Sequence, residues 1–199
     1  VATRVLRADS SVPSEPHSIF FLRLLDRFHV YKGLEYLIRA VKKLSAEKPV
    51  RLYIGGEGKL LPYYKKMVEE AGMTGSVEFL GFLTQKSVVK YYNRCAVFVL
   101  PSVSSVQEGF GMVALEAMAC GKPVVVTDII GAAADICSAK AGMLVEPKDS
   151  DALAEAIGFI MDSPKEGQRM GQNGQALVTR MFSWKTHADI VEREYAESG

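Results

Sequence analysis

The sequence lacks the cysteine and histidine patterns of disulfide scaffolds and zinc sites. Its 199 residues include three cysteines and three histidines, and no two cysteines form a CxxC pair. Few, widely spaced cysteines are typical of reduced thiols in a cytosolic protein. We therefore expect Cys95, Cys120 and Cys137 to be core thiols, no metal at the functional site, and a cytoplasmic location.

Strong net charge and long apolar runs are also missing. Twenty-four Lys and Arg residues against 23 Asp and Glu residues leave a formal charge of +1. No overall electrostatic field would then hold the chain on nucleic acid. No apolar run approaches the roughly 20 residues of a membrane span. We expect no nucleic-acid partner and no membrane span, so any positively charged site must be local.

The sequence does have the composition of a globular core, with 48% hydrophobic residues. Short β-branched or aromatic runs alternate with stretches of helical period, a pattern typical of βαβ units on a parallel sheet. We predict an α/β fold with a doubly wound, mostly parallel, Rossmann-like sheet of about six strands, followed by extra C-terminal helices. The predicted strands are 18–25, 51–55, 77–80, 96–100, 123–127 and 143–145.

Three regions are predicted along the chain. Residues 1–17 contain two prolines and adjacent serines and are interpreted as a linker or trimmed connection. Residues 18–163 form the Rossmann-like domain, and 164–199 are a helical appendage with a break near 182–184. Because doubly wound sheets bind ligands at the carboxyl ends of their strands, the candidate sites are the strand-exit loops.

The most informative exit segment is EGFGMVALE, residues 108–116. Two glycines flank an aromatic residue where a loop becomes a helix, so the backbone N–H groups of 109–113 can bind an anion such as a phosphate. Glu116 follows Glu108 by roughly 8 Å along the helix axis. Each carboxylate can accept hydrogen bonds from a diol, which suits a sugar at one end and a ribose at the other. A solvated helical glutamate is the alternative for Glu116, but its neighbours are apolar and disfavour it.

The stretch EGFGMVALEAMACGKPVVVTD resembles the E-x7-E signature of family 4 retaining glycosyltransferases, which have the two-domain GT-B fold. Further matches in the family's order span about residues 18–160: LDRFHVYKG, RLYIGGEG, VEFLGFL, AVFVLPS and GMLVEPKDSDALAEAI. The resemblance implies that the chain is the C-terminal, donor-binding domain, that the N-terminal acceptor-binding domain is absent, and that this half alone is inactive. Contact with the inner face of a membrane would go through that absent domain.

The implied reaction is metal-independent transfer of a hexosyl group, with retention, from a nucleoside diphosphate sugar to a hydroxyl of a glycan, lipid or small molecule. A UDP or GDP donor is expected, with no other cofactor. By the resemblance, Lys32 binds the diphosphate, Glu108 the transferred sugar and Glu116 the ribose. The catalytic candidates are Lys32 and Glu108. The donor-binding candidates are Arg23, His29, Gly56, Gly81, Phe82, Leu83, Gly109, Phe110, Gly111, Met112, Val113 and Glu116.

Three of these positions have alternatives. In the family an arginine after the first strand binds the diphosphate, and either Arg23 or Leu24 occupies its place here, the register with Leu24 being slightly favoured. His29 is either a phosphate donor or an exposed loop residue. Gly56 serves either a tight strand-to-helix turn or phosphate binding.

Other functions remain open at this point. A dehydrogenase-like dinucleotide domain is disfavoured because no G-x-G-x-x-G turn follows the first strand. A GT-B epimerase or phosphorylase would share the fold. A noncatalytic nucleotide-binding module would bind UDP or GDP without turnover.

Overall fold

The computed structural model describes residues 1–183, 186 and 188, and in that part of the chain one parallel sheet has helices on both faces. Its order is β3-β2-β1-β4-β5-β6, and every neighbouring pair is parallel. The predicted Rossmann-like fold is confirmed. The strands are β1 (Ser18–Leu22), β2 (Arg51–Gly55), β3 (Val77–Gly81), β4 (Val97–Leu100), β5 (Val124–Thr127) and β6 (Gly142–Val145).

The helices include two short elements that the sequence pattern did not predict. These are a 3₁₀ helix (Arg27–Lys32) and the α-helix Ala133–Ser138; each spans six residues, too few for a helical period to show. A π-helical turn (Val178–Phe182) ends the described helical run. The α-helices are α1 (Leu34–Ser45), α2 (Leu61–Glu70), α3 (Gln85–Arg94), α4 (Met112–Ala119), α5 (Ala133–Ser138), α6 (Ser150–Asp162) and α7 (Pro164–Leu177).

Alternate residues of the strands pack into two separate cores. In β1, Ile19 and Phe21 lie in the core that contains α1 and α6, whereas Phe20 lies in the core of the opposite face, with α3 and α4. Side chains of successive strand residues point to opposite faces, so a strand covered on both sides must be apolar throughout. This explains the continuous apolar run that predicted β1.

The N-terminal segment and Phe182 add to the second core. Val1 and Leu6 are buried in it, although residues 1–17 contain no helix or strand. The ring of Phe182 packs against this core as well. Trp184, part of the predicted break, lies outside the described residues.

The expectation of three core thiols is wrong for Cys137. Cys95 and Cys120 are buried, and burial raises the pKa of each thiol to about 12. Cys137 is exposed because α5 turns Ala133 and Ile136, rather than Cys137, towards the core. In the described part of the chain, no helix is long and apolar enough to cross a bilayer.

Candidate active site

A cavity of about 400 Å³ lies at the carboxyl ends of the strands, where the sequence places the candidate site. It is lined from the exits of β1, β2 and β3 and from α3 and α4. Six of the predicted donor-binding residues are on its wall: Arg23, His29, Gly56, Phe82, Leu83 and Val113.

The two predicted catalytic residues contact each other in a buried ion pair. Lys32 Nζ donates to Glu108 Oε2 at 2.5 Å, and the Ser102 hydroxyl donates to the same oxygen. Lys32 is 3% exposed and Glu108 8% exposed. Buried charges must be paired and hydrogen-bonded, so these three side chains depend on one another. Ser102 was not among the predicted residues; its signal is a polar residue two positions after the buried end of β4.

A glycine brings Lys32 to Glu108. Gly33, between the 3₁₀ helix and α1, has a left-handed φ of 71°, and a Cβ built there would lie 2.0 Å from the carbonyl oxygen of Pro101. The backbone N–H of Val103 donates to the carbonyl of Tyr31 at 2.7 Å. The 3₁₀ helix therefore lies directly against the loop after β4, at a distance that only glycine permits.

The start of α4 presents backbone donors. Gly111 is its N-cap, with a φ of 82° and no side-chain cap. The first amides of an α-helix have no intrahelical acceptor, so those of Met112 and Val113 are free to bind an anion. The segment after β5 holds the loop before α4 in place. The amide of Gly131 donates to the carbonyl of Gly109 at 3.1 Å, and that of Ala132 donates to the carbonyl of Phe110 at 3.2 Å.

Glu116 is partly buried and has one hydrogen-bond donor among the described residues. The Tyr92 hydroxyl donates to Glu116 Oε2 at 3.0 Å and to the carbonyl of Val113 at 3.1 Å. Burial raises the pKa of Glu116, and the bond from Tyr92 opposes this only in part. Relative to the unfolded chain, the folded chain therefore holds a proton on Glu116 more tightly. Above the ordinary glutamate pKa of about 4.3, ionisation of this side chain costs folding free energy.

The exit of β1 brings Arg23 and His29 to the cavity. Arg23 Nε is buried and has no hydrogen-bond partner among the described residues. Leu24 also lines the cavity but is largely exposed. His29 Nδ1 lies 2.7 Å from Asp26 Oδ1, and the contact with His29 lowers the pKa of Asp26. His29 is thus partly buried and oriented by Asp26, which the sequence analysis did not identify.

The exits of β2 and β3 touch each other at their glycines. A Cβ at Gly56 would lie 1.8 Å from the carbonyl oxygen of Arg23, so this position must be glycine for packing alone. The amide of Gly56 donates to the carbonyl of Gly81 at 2.8 Å. Glu57 Oε1 accepts a hydrogen bond from the amide of Phe82 at 3.0 Å. Glu57 was not among the predicted residues, although its position between two glycines at a strand exit is a sequence signal for such a site.

No trio of histidine, cysteine, aspartate or glutamate side chains is arranged for a metal ion within the described residues.

Comparisons with known proteins show the family and the fold of the chain. The family model "Glycosyl transferases group 1" matches residues 6–177. An uncharacterized glycosyltransferase of Methanocaldococcus jannaschii is 35% identical over 169 residues, which cover 85% of this chain and 43% of that protein. The chain thus spans about half the length of the curated relatives it matches.

Two solved structures have the same fold. The C-terminal domain of a group 1 glycosyl transferase from Francisella tularensis has a TM-score of 0.78 at 27% identity, with 92% of this chain and 99% of that chain covered. Anabaena HepE, solved with UDP, has a TM-score of 0.83 at 23% identity, with 98% and 56% covered. From its sequence and its fold, this chain belongs to the group 1 glycosyl transferase family and has the architecture of a C-terminal GT-B domain.

Proposed function

We propose that this chain is the donor-binding half of a retaining glycosyltransferase, which moves a sugar from a nucleoside diphosphate sugar to a hydroxyl acceptor. One observation carries the proposal. The uncapped start of α4 lies between two glutamates, and Lys32 is bonded to the first of them. Anion-binding amides with a carboxylate on each side match a diphosphate with a sugar on each side.

The main contribution of this half would be electrostatic. When the bond from the anomeric carbon to the diphosphate breaks, negative charge develops on the leaving diphosphate. The helix-start amides, the Lys32 ammonium and the Arg23 guanidinium would stabilise that charge at fixed positions. Arg23 is suited to this because its buried Nε has no protein partner among the described residues.

Glu108 would position the transferred sugar. Its Oε2 atom already accepts hydrogen bonds from Lys32 and Ser102, which fix the carboxylate. Its Oε1 atom has no donor among the described residues and would accept hydrogen bonds from sugar hydroxyls. This makes Glu108 a binding group for the sugar, and no covalent nucleophile is assigned.

Glu116 would hold the ribose, and the segment Gly81–Leu83 the base. HepE, a protein of the same fold, was solved with UDP, which agrees with a UDP or GDP type of donor. The acceptor would be bound largely by a further domain, so we expect this chain alone to bind the nucleotide and to transfer nothing.

The ribose role of Glu116 predicts a variant that binds worse but folds better. Glu116→Gln keeps an acceptor for Tyr92 and removes the costly charge. We expect about tenfold weaker binding of UDP or GDP, since a charge-assisted hydrogen bond is lost. The free energy of unfolding should rise at pH 8, and this gain should vanish near pH 4, where the unfolded carboxyl is also protonated.

Calorimetric titration and urea unfolding at the two pH values measure both effects. Pyrophosphate has no ribose and is the control ligand, so its affinity should not change. Unchanged affinity for UDP and GDP in Glu116→Gln would refute the ribose assignment. The greater stability of the variant would show that a loss of affinity does not come from unfolding.

A further inference from the structure

A carboxylate that the proposed reaction does not use faces the cavity at the exit of β2. Glu57 lines the cavity together with Phe82 and Leu83, which belong to the segment proposed to bind the base. Its Oε1 atom is bonded to the amide of Phe82 at 3.0 Å. The reaction proposed above gives Glu57 no role.

Glu57 is exposed, and the hydrogen bond from the Phe82 amide orients its carboxylate. A carboxylate has about four lone-pair positions, and the amide of Phe82 uses one of them. The backbone around Glu57 is also held, since the carbonyl of Glu57 accepts from the amide of Leu25 at 2.8 Å. Gly81, next to Phe82, has a left-handed φ of 67° that favours glycine, and a Cβ there would lie at an ordinary contact distance of 3.5 Å from Glu57 Oε1.

The surroundings suit a planar heterocycle. Phe82 lines this cavity and is 73% exposed, so its ring is accessible for stacking on a bound base. Leu83 and Val88 give the same cavity an apolar wall. Bases stack on aromatic rings whatever their identity, so a stacking ring retains a base and a fixed hydrogen-bonding group selects it.

We propose that Glu57 selects guanine as the base of the donor, which rests on the proposed function of this site. A fixed carboxylate accepts hydrogen bonds and donates none. Guanine presents two adjacent donors on its pairing edge, the ring N1–H and the 2-amino group, which match the two oxygens of a carboxylate. Uracil offers one N–H between two carbonyl oxygens, and those oxygens would face the negative charge. Adenine offers only its amino group beside an acceptor nitrogen.

The test is calorimetric titration of the chain with GDP, inosine diphosphate, UDP and ADP. Inosine diphosphate is the sharpest comparison because it differs from GDP only by lacking the 2-amino group. We expect GDP to bind most tightly and inosine diphosphate about tenfold more weakly, the effect of one charge-assisted hydrogen bond. Glu57→Gln should then weaken GDP about tenfold or more and leave UDP within about twofold, because Gln keeps an acceptor for Phe82 but turns an N–H₂ group towards the guanine donors.

Glu69→Gln is the matched control, since Glu69 is an exposed glutamate at the other end of α2. It should leave all four affinities unchanged. Equal affinities for the four nucleotides, or a guanine preference that survives in Glu57→Gln, would overturn this inference and leave the proposed function standing. If none of the four nucleotides binds, the proposed function fails, and the inference fails with it.

Discussion

Replacing Lys32 by methionine is expected to lower the free energy of unfolding by about 3–5 kcal/mol, the usual cost of breaking a buried ion pair. Methionine fills most of the volume of the lysine but leaves the Glu108 carboxylate without its counter-charge. Glu108 is 8% exposed and, among the described residues, would retain the Ser102 hydroxyl as its side-chain donor, so little water can reach it to replace the ammonium. Urea unfolding at neutral pH measures this loss.

The double variant Lys32→Met, Glu108→Gln distinguishes the cost of an unpaired buried charge from the cost of altered side-chain packing. It removes both charges, and a neutral amide is much less costly to bury than an unpaired carboxylate. We therefore expect it to be more stable than Lys32→Met alone, with a strongly non-additive double-mutant cycle. Additive losses, or a loss below about 1 kcal/mol in the single variant, would refute the dependence of Glu108 on Lys32.

Gly33→Ala should lower the free energy of unfolding by about 2–4 kcal/mol. The new Cβ would lie 2.0 Å from the carbonyl oxygen of Pro101, so the 3₁₀ helix must move away from the loop after β4. Since Lys32 precedes Gly33 and Glu108 lies in that loop, the movement should also separate the ion pair. Chemical denaturation gives the stability, and donor titration shows the effect on the site.

Gly72→Ala is the control for the backbone conformation. Gly72 has a φ of 70°, nearly the value of Gly33, but a Cβ there would meet nothing within 4 Å. Its substitution should cost only the left-handed strain, about 1 kcal/mol. Equal losses of unfolding free energy at the two glycines would show that the close approach of Pro101 is not the reason for a glycine at position 33.

The architecture could be predicted from the sequence because the sheet is covered on both faces. That geometry produces continuous apolar runs in the strands and helical periods between them, and both signals are local. The end of β1, by contrast, depends on contacts with a distant part of the chain. It ends at Leu22, three residues before the predicted end. The amide of Arg23 bonds to Gly55, the last residue of β2, and the amide of Leu25 already bonds to Glu57 in the loop that follows β2.

The residues of the candidate site could be predicted better than their contacts. Six predicted donor-binding residues line one cavity because they all follow parallel strands, whose carboxyl ends meet at one edge. The contact between Lys32 and Glu108 joins positions 76 residues apart, and no sequence spacing encodes it. The same holds for Glu57, which contacts Phe82, 25 residues further along the chain. Asp26 and His29, by contrast, are three residues apart, so their contact is local.

A crystal structure of the chain soaked with UDP- and GDP-sugars tests the central claim most directly. The account predicts the diphosphate within hydrogen-bonding distance of the amides of residues 109–113, with the ribose on Glu116 and the transferred sugar on Glu108. A donor bound with its diphosphate away from the start of α4, or with neither ring near a glutamate of the 108–116 segment, would contradict it.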